Sequence, residues 1–150
     1  MASGPFVDVI MTGDAHAARV FRDLPRKMQN NIMRRVLRGA AKKVEAVAES
    51  RIPVDTGTLK SAGLKVRALT GKQRRRGEIG YAIQTPEREQ LGIDSDSKGY
   101  YPAHVEMGHK TPNGGHVPAV PFLRSTADEM RAGIIASIGS AVRVELGRIK

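Results

Sequence analysis

The chain contains no cysteine and no tryptophan. Without thiols it can form no disulfide, offers no thiolate nucleophile and builds no Cys-based zinc site, a composition compatible with a cytosolic protein. Aromatic residues make up 4% of the total, three Tyr and three Phe, too few for a platform on which bases stack. No window holds about 18 apolar residues in succession, so no membrane span is expected. Met1 to Gly4 are small and uncharged. They lack the basic start and long apolar run of a secretory leader, so none is expected there. Gly-x-x-x-x-Gly-Lys-Ser/Thr, His-Glu-x-x-His and Gly-x-Ser-x-Gly are all missing, which removes the usual signatures of a phosphate loop, a zinc protease and a nucleophile elbow.

What is present is a 150-residue chain of 16.3 kDa, 40% hydrophobic and 27% charged. That length and composition suit one domain over residues 1–150, with a modest core. The net charge is +10, and it is unevenly placed. Residues 19–76 carry 17 Lys/Arg against four acids, whereas residues 77–150 carry eight basic and nine acidic residues. Concentrated positive charge points to a polyanion or an acidic partner surface, or else to a solvated basic face.

Periodicity assigns the elements. Phe6 to Met11 is a short apolar run ended by Thr12-Gly13, a predicted strand. Asp14 is placed to cap a helix from Ala15 to Leu24, which Pro25 interrupts. Met28, Ile32, Val36, Ala40, Val44 and Ala48 then recur every four residues. They predict a long amphipathic helix over 26–51 with Arg34, Arg35, Arg38, Lys42 and Lys43 on its polar side, stopped by Pro53. Leu64, Val66 and Ala68 alternate with Lys65 and Arg67 as a strand with a basic face. Residues 71–77 read as a hairpin-like loop, and Ile79, Tyr81 and Ile83 as the returning strand. Residues 85–117 are expected to hold long exposed loops, interrupted by a short helix or strand from Tyr101 to Met107. The four-residue steps of Met130, Ile134, Ile138, Val142 and Leu146 predict a C-terminal helix, with Gly133, Gly139 and Gly147 as places where it weakens or ends.

Chemistry is sparse. His104, His109 and His116 lie near Glu106, but their spacing matches no standard ligand pair. Ser125, His104 and Asp128 form a triple of the kind any chain of this length offers by chance. Asp94 and Asp96 lack the rest of a calcium loop. The basic set Lys65, Arg67, Lys72, Arg74, Arg75 and Arg76 is the best functional patch, suited to phosphates without reading bases or to a partner's surface, with a solvated hairpin tip as the alternative.

Three stretches occur in order: Ile52-Pro53-Val54-Asp55-Thr56-Gly57-Thr58-Leu59-Lys60-Ser61, Tyr101-Pro102-Ala103-His104-Val105-Glu106-Met107-Gly108, and Pro118-Ala119-Val120-Pro121-Phe122-Leu123-Arg124. Together they resemble the small neck or minor-tail protein family of long-tailed bacteriophages, typified by gene product ten of phage Hong Kong ninety-seven. The resemblance spans roughly residues 20–135. Its pattern places Pro53, Asp55, Thr56, Gly57 and Leu59 in a turn motif, Tyr101, Ala103, Glu106 and Gly108 in a second motif, and Pro121, Phe122 and Leu123 in a third. Pro102 departs from the pattern by separating Tyr101 from Ala103, Val120 stands where the family commonly has Arg, and residues 85–100 look like an insertion.

The resemblance implies an α+β fold: a long amphipathic helix packed on a small, mainly antiparallel β-sheet, with a C-terminal helix. It implies a virion structural protein with no catalytic residue, metal or cofactor, assembled in the host cytoplasm. Copies would form a ring, hexameric or a multiple of six, at the head–tail junction or the top of the tail, with DNA passing through. Partners would be neighbouring connector or stopper, tail terminator or tail tube proteins, with no membrane involved. In such a ring Phe122 would anchor a neighbour or belong to the subunit's own core. The alternative function is that of a small basic protein that binds nucleic acid without sequence preference.

Overall fold

The apolar stripe of residues 26–51 folds as one continuous helix, and most of the remaining structure is arranged along it. The structure, a computed structural model, describes residues 15–54, 57–92 and 101–149. The helices are α1 (Ala15–Asp23), α2 (Arg26–Ser50), α3 (Thr58–Ala62), α4 (Lys72–Arg75), α5 (Tyr101–Met107) and α6 (Phe122–Gly147). The strands are β1 (Lys65–Ala68), β2 (Tyr81–Gln84), β3 (His109–Lys110) and β4 (His116–Val117), and a 3₁₀ turn covers Arg88–Leu91. The class is α+β. The strand predicted at 6–11 and the cap Asp14 lie outside the described residues.

Pro25 stands at the N-cap of α2 rather than inside its first turn. Its carbonyl accepts from the Met28 and Gln29 amides, while the Gln29 side-chain amide donates back to the Arg22 and Leu24 carbonyls at the end of α1. One side chain thus closes the corner between the two helices.

α2 and α6 pack antiparallel. Arg35 pairs with Glu145 at 2.5 Å and Arg51 with Glu129 at 2.6 Å, so sixteen residues of each helix run alongside one another, roughly 24 Å at 1.5 Å per residue. Ile32, Val36 and Ala40 of α2 bury against Ile138 and Val142 of α6, with Phe21 and Leu24 packed alongside. Gly133 and Gly139 do not end α6. The helix runs through both because its inner stripe is held by this cluster, and packing outweighs a propensity loss of about 1 kcal/mol per glycine.

The sheet of the sequence reading is two separate antiparallel ribbons, β1–β2 and β3–β4. β1 pairs with β2 in the register Val66↔Ile83. Leu69 donates to Gly80 on the β2 side, so odd-numbered amides of this strand face β2 and even-numbered ones face away. Those outward amides are taken by α2: Leu64 N–H donates to Glu49 Oε1 at 2.8 Å and Val66 N–H to Glu45 Oε1 at 3.0 Å. The geometry is commensurate, since four residues of helix rise about 6 Å and two of strand about 6.6 Å. Two glutamates thus replace a third strand and close the ribbon's open edge. Glu45 is buried at 7% exposure and also pairs with Lys42 at 2.6 Å.

Residues 71–77 are not a plain hairpin loop. The connection contains the helical turn α4, whose last amides are satisfied by i→i+3 and i→i+4 bonds. The region 85–92 is likewise less exposed than the sequence reading expects. Pro86 and Leu91 are buried, the latter in a cluster with Ala48, Ile52, Leu59, Leu64 and Phe122. Residues 93–100 lie outside the described residues. Tyr101–Met107 resolves to a helix, and the loop after it contains the β3–β4 ribbon.

Candidate functional site

The residues of the three motif stretches meet around the start of α6. Phe122, 1% exposed, lies in one cluster with Leu59 of α3, Ile52 at the end of α2 and Leu91. Its alternative role as an exposed anchor is thereby excluded within the subunit: it is core. Leu123 packs against the same cluster. Gly57 caps α3 with φ +75°, a conformation that glycine adopts without strain. Pro53 is half-buried, and Asp55 and Thr56 lie outside the described residues.

The second and third motifs are locked together by hydrogen bonds. The N-cap of α6 is Pro121, which has no side chain able to cap. Glu106 of α5 supplies what is missing: Oε2 accepts from Leu123 N–H at 3.0 Å and Oε1 from Arg124 N–H at 2.9 Å. Two of the four orphan amides are satisfied, and a negative charge sits at the positive end of the helix. The Arg124 guanidinium completes the lock by donating to Glu106 Oε1 and to the Glu106 carbonyl. Val120 N–H donates to the Val105 carbonyl at 2.8 Å. Pro102, the departure from the family pattern, falls in the first turn of α5, where a missing amide costs nothing, and it is buried. Ala103 is half-buried beside it, and Tyr101 opens the helix. Pro121 is exposed, and the Ser125 hydroxyl donates to its carbonyl.

Glu106→Gln tests this cap. It keeps the shape but removes the charge and one of the two acceptor oxygens. Loss of about 1–2 kcal/mol of unfolding free energy in urea titration is expected. A change below about 0.3 kcal/mol would show that solvent caps α6 equally well.

The histidines form a pair, not a cluster. The turn at Gly108 brings the His104 and His109 rings to 4.9 Å in a stacked arrangement, a proximity that helical spacing alone does not predict. His109 Nδ1 is buried and has no hydrogen-bond partner. No group of three or more His, Asp or Glu among the described residues is placed to hold a metal.

The basic patch divides in two. Lys65 and Arg67 share one face of the ribbon, and Arg67 pairs with Glu87 at 3.6 Å. Lys72, Arg74 and Arg75 of α4 and Arg76 at its C-cap are all exposed, with no ion pair among the described residues. No feature of the sequence connects this tip with α2. The structure does: Arg34 of α2 and Arg74 of α4 line one cleft of about 300 Å³, together with Thr70, Glu78 and Tyr81. A second cleft of about 310 Å³ runs between α2 and α6, with Gly39, Ala40, Ala141 and Val144 in its lining. No described helix is long and apolar enough to cross a membrane.

In comparison with known proteins, no family model matches the chain, and no curated protein and no solved structure is significantly similar to it.

Proposed function

We propose that this chain is a structural subunit of a long-tailed phage virion. Copies assemble into a ring at the head–tail junction or the top of the tail, and DNA passes through the ring. The observation that carries the reading is the convergence of the three motif stretches. Leu59, Glu106, Gly108, Phe122 and Leu123 are separated in sequence, yet they form one packed and hydrogen-bonded unit. Residues so placed act as architecture, which fits a protein whose work is assembly.

A closed ring needs two different, complementary faces on each subunit. The chain has a basic flank on α2, where Arg34, Arg38 and Lys43 are exposed. Exposed acids lie outside α2 at Glu87, Glu89, Asp128 and Glu129, of which Glu87, Asp128 and Glu129 also pair with Arg67, Arg131 and Arg51 of the same subunit. A basic surface on one copy meeting an acidic one on the next favours a head-to-tail contact over two like surfaces meeting.

Electron microscopy of lysates from phage lacking the protein tests the proposal. Filled heads beside unattached tails of normal length are expected. Overlong tails would place the ring at the tail terminator, and emptied heads would place it at the stopper. Intact, infectious particles would overturn the reading.

A further inference from the structure

We infer that the cleft between α2 and the α4 tip binds the phosphate backbone of duplex nucleic acid, with Arg34 and Arg74 as its two forks. This inference does not depend on the ring. It rests first on convergence, since the two guanidinium-bearing side chains come from elements about forty residues apart in sequence and line the same cleft, with Thr70 and Tyr81 beside them. Guanidinium forks match phosphate oxygens, and hydroxyl side chains add donors.

The second ground is what the neighbouring charges do for the fold. Arg35, Arg51, Arg67, Arg124, Arg131 and Arg148 each pair with a carboxylate of the chain. Lys72, Arg74, Arg75 and Arg76 have no such partner among the described residues. On a single helical turn, like charges three and four residues apart repel. Lys72 faces Arg75 and Arg76 in that way. The cluster therefore works against the free subunit, and a polyanion along the tip would reverse the sign of that effect.

Glu78 sets the strength. It is the one carboxylate among the described lining residues of the cleft, and its Oε2 is buried without a hydrogen-bond donor. Diester oxygens only accept, so they give Glu78 nothing and are repelled by it. The site therefore has a built-in brake, and contact with the backbone is weak and easily released.

The test is fluorescence anisotropy of the full chain with two labelled 20-base-pair duplexes of unrelated sequence, across a salt series. The two duplexes are expected to bind equally. The slope of log K against log salt is expected near −3 to −4, from about four phosphate contacts at roughly −0.9 each. Arg34→Ala and Arg74→Ala should each flatten that slope by about 0.9 and weaken binding several-fold. Glu78→Gln should tighten binding by roughly 3- to 10-fold, as expected for removing a charge opposed to phosphate. Gel filtration of the same variants reads assembly separately, so failure of the ring and failure of this site are distinguishable. Unchanged slopes in both arginine variants, or unchanged affinity in Glu78→Gln, would overturn the inference. So would equal competition by inorganic phosphate at matched phosphate concentration, or binding to anionic phosphatidylglycerol vesicles in preference to the duplex.

Discussion

Phe122→Ala is expected to lower the unfolding free energy by about 3–5 kcal/mol, the range for truncating a buried phenylalanine. The side chain is 1% exposed and stands where α6 begins. It is surrounded by Ala48, Ile52, Leu59, Leu64 and Leu91, which come from α2, the residue after its C-cap, α3, the approach to β1 and the 3₁₀ turn. These neighbours are fixed by different backbone constraints, so they cannot collapse together into the space left behind. The lost transfer energy and the cavity therefore add. A domain of this size has about 5–15 kcal/mol in total, so the variant is expected to be partly unfolded at 37 °C. Phe122→Leu, which keeps most of the volume, is expected to lose only about 1–1.5 kcal/mol. Urea midpoints at unchanged slope give both values. A loss below about 1 kcal/mol for Phe122→Ala would mean that the motifs do not share a core at this residue.

The helices were legible because their pattern is redundant. Six apolar positions at five four-residue steps define α2, and α6 repeats the device, so glycines inside α6 do not change the outcome. The motif residues were legible as a set, but their roles were not. Nothing local marks Phe122 as core rather than surface, because an aromatic residue at a helix start serves either purpose. Only its distance from Leu59 and Leu91 in the folded chain decides it. Glu45 and Glu49 have no role assigned by motif or periodicity. In the sequence they are two acids among many bases, yet a four-residue spacing on an amphipathic helix was a usable signal. It matches two residues of strand, so the pair can accept from two successive outward amides of a strand edge. Glu106 was placed in a motif with no role assigned. The signal there was Pro121, because a helix beginning at Pro121-Phe122 has no capping side chain of its own and must borrow one. In the sequence Arg34 is only one of five basic residues on the polar side of α2, because nothing in one dimension shows α4 lying beside it. Short elements such as α3 and α4 carry too few residues for periodicity to register.

The largest effect expected from a single added methyl is at Gly108. Its φ is +71°, and an ideal Cβ there would lie 2.7 Å from the Val117 carbonyl oxygen and 2.8 Å from the Ala119 nitrogen. Both neighbours are backbone, so neither can turn aside as a side chain would. Alanine at Gly108 bears the cost of left-handed backbone, about 1–2 kcal/mol, and must also push residues 117–119 away. That segment leads directly into the Val120–Val105 hydrogen bond and the Glu106 cap on α6. A total loss on the order of 3 kcal/mol or more is expected. Gly114 provides the control. It too has positive φ, +81°, but nothing lies within 4 Å of its ideal Cβ, so Gly114→Ala should cost only the conformational part, about 1–2 kcal/mol. The difference between the two variants isolates the close approach. Amide hydrogen exchange at Leu123 and Arg124 should quicken in Gly108→Ala and stay unchanged in Gly114→Ala, because only the former displaces residues 117–119, the segment that leads into the capped start of α6. Equal losses in the two variants, with equal exchange, would show that the second and third motifs are neighbours without being interlocked, and the assembly reading would then lose the observation that carries it.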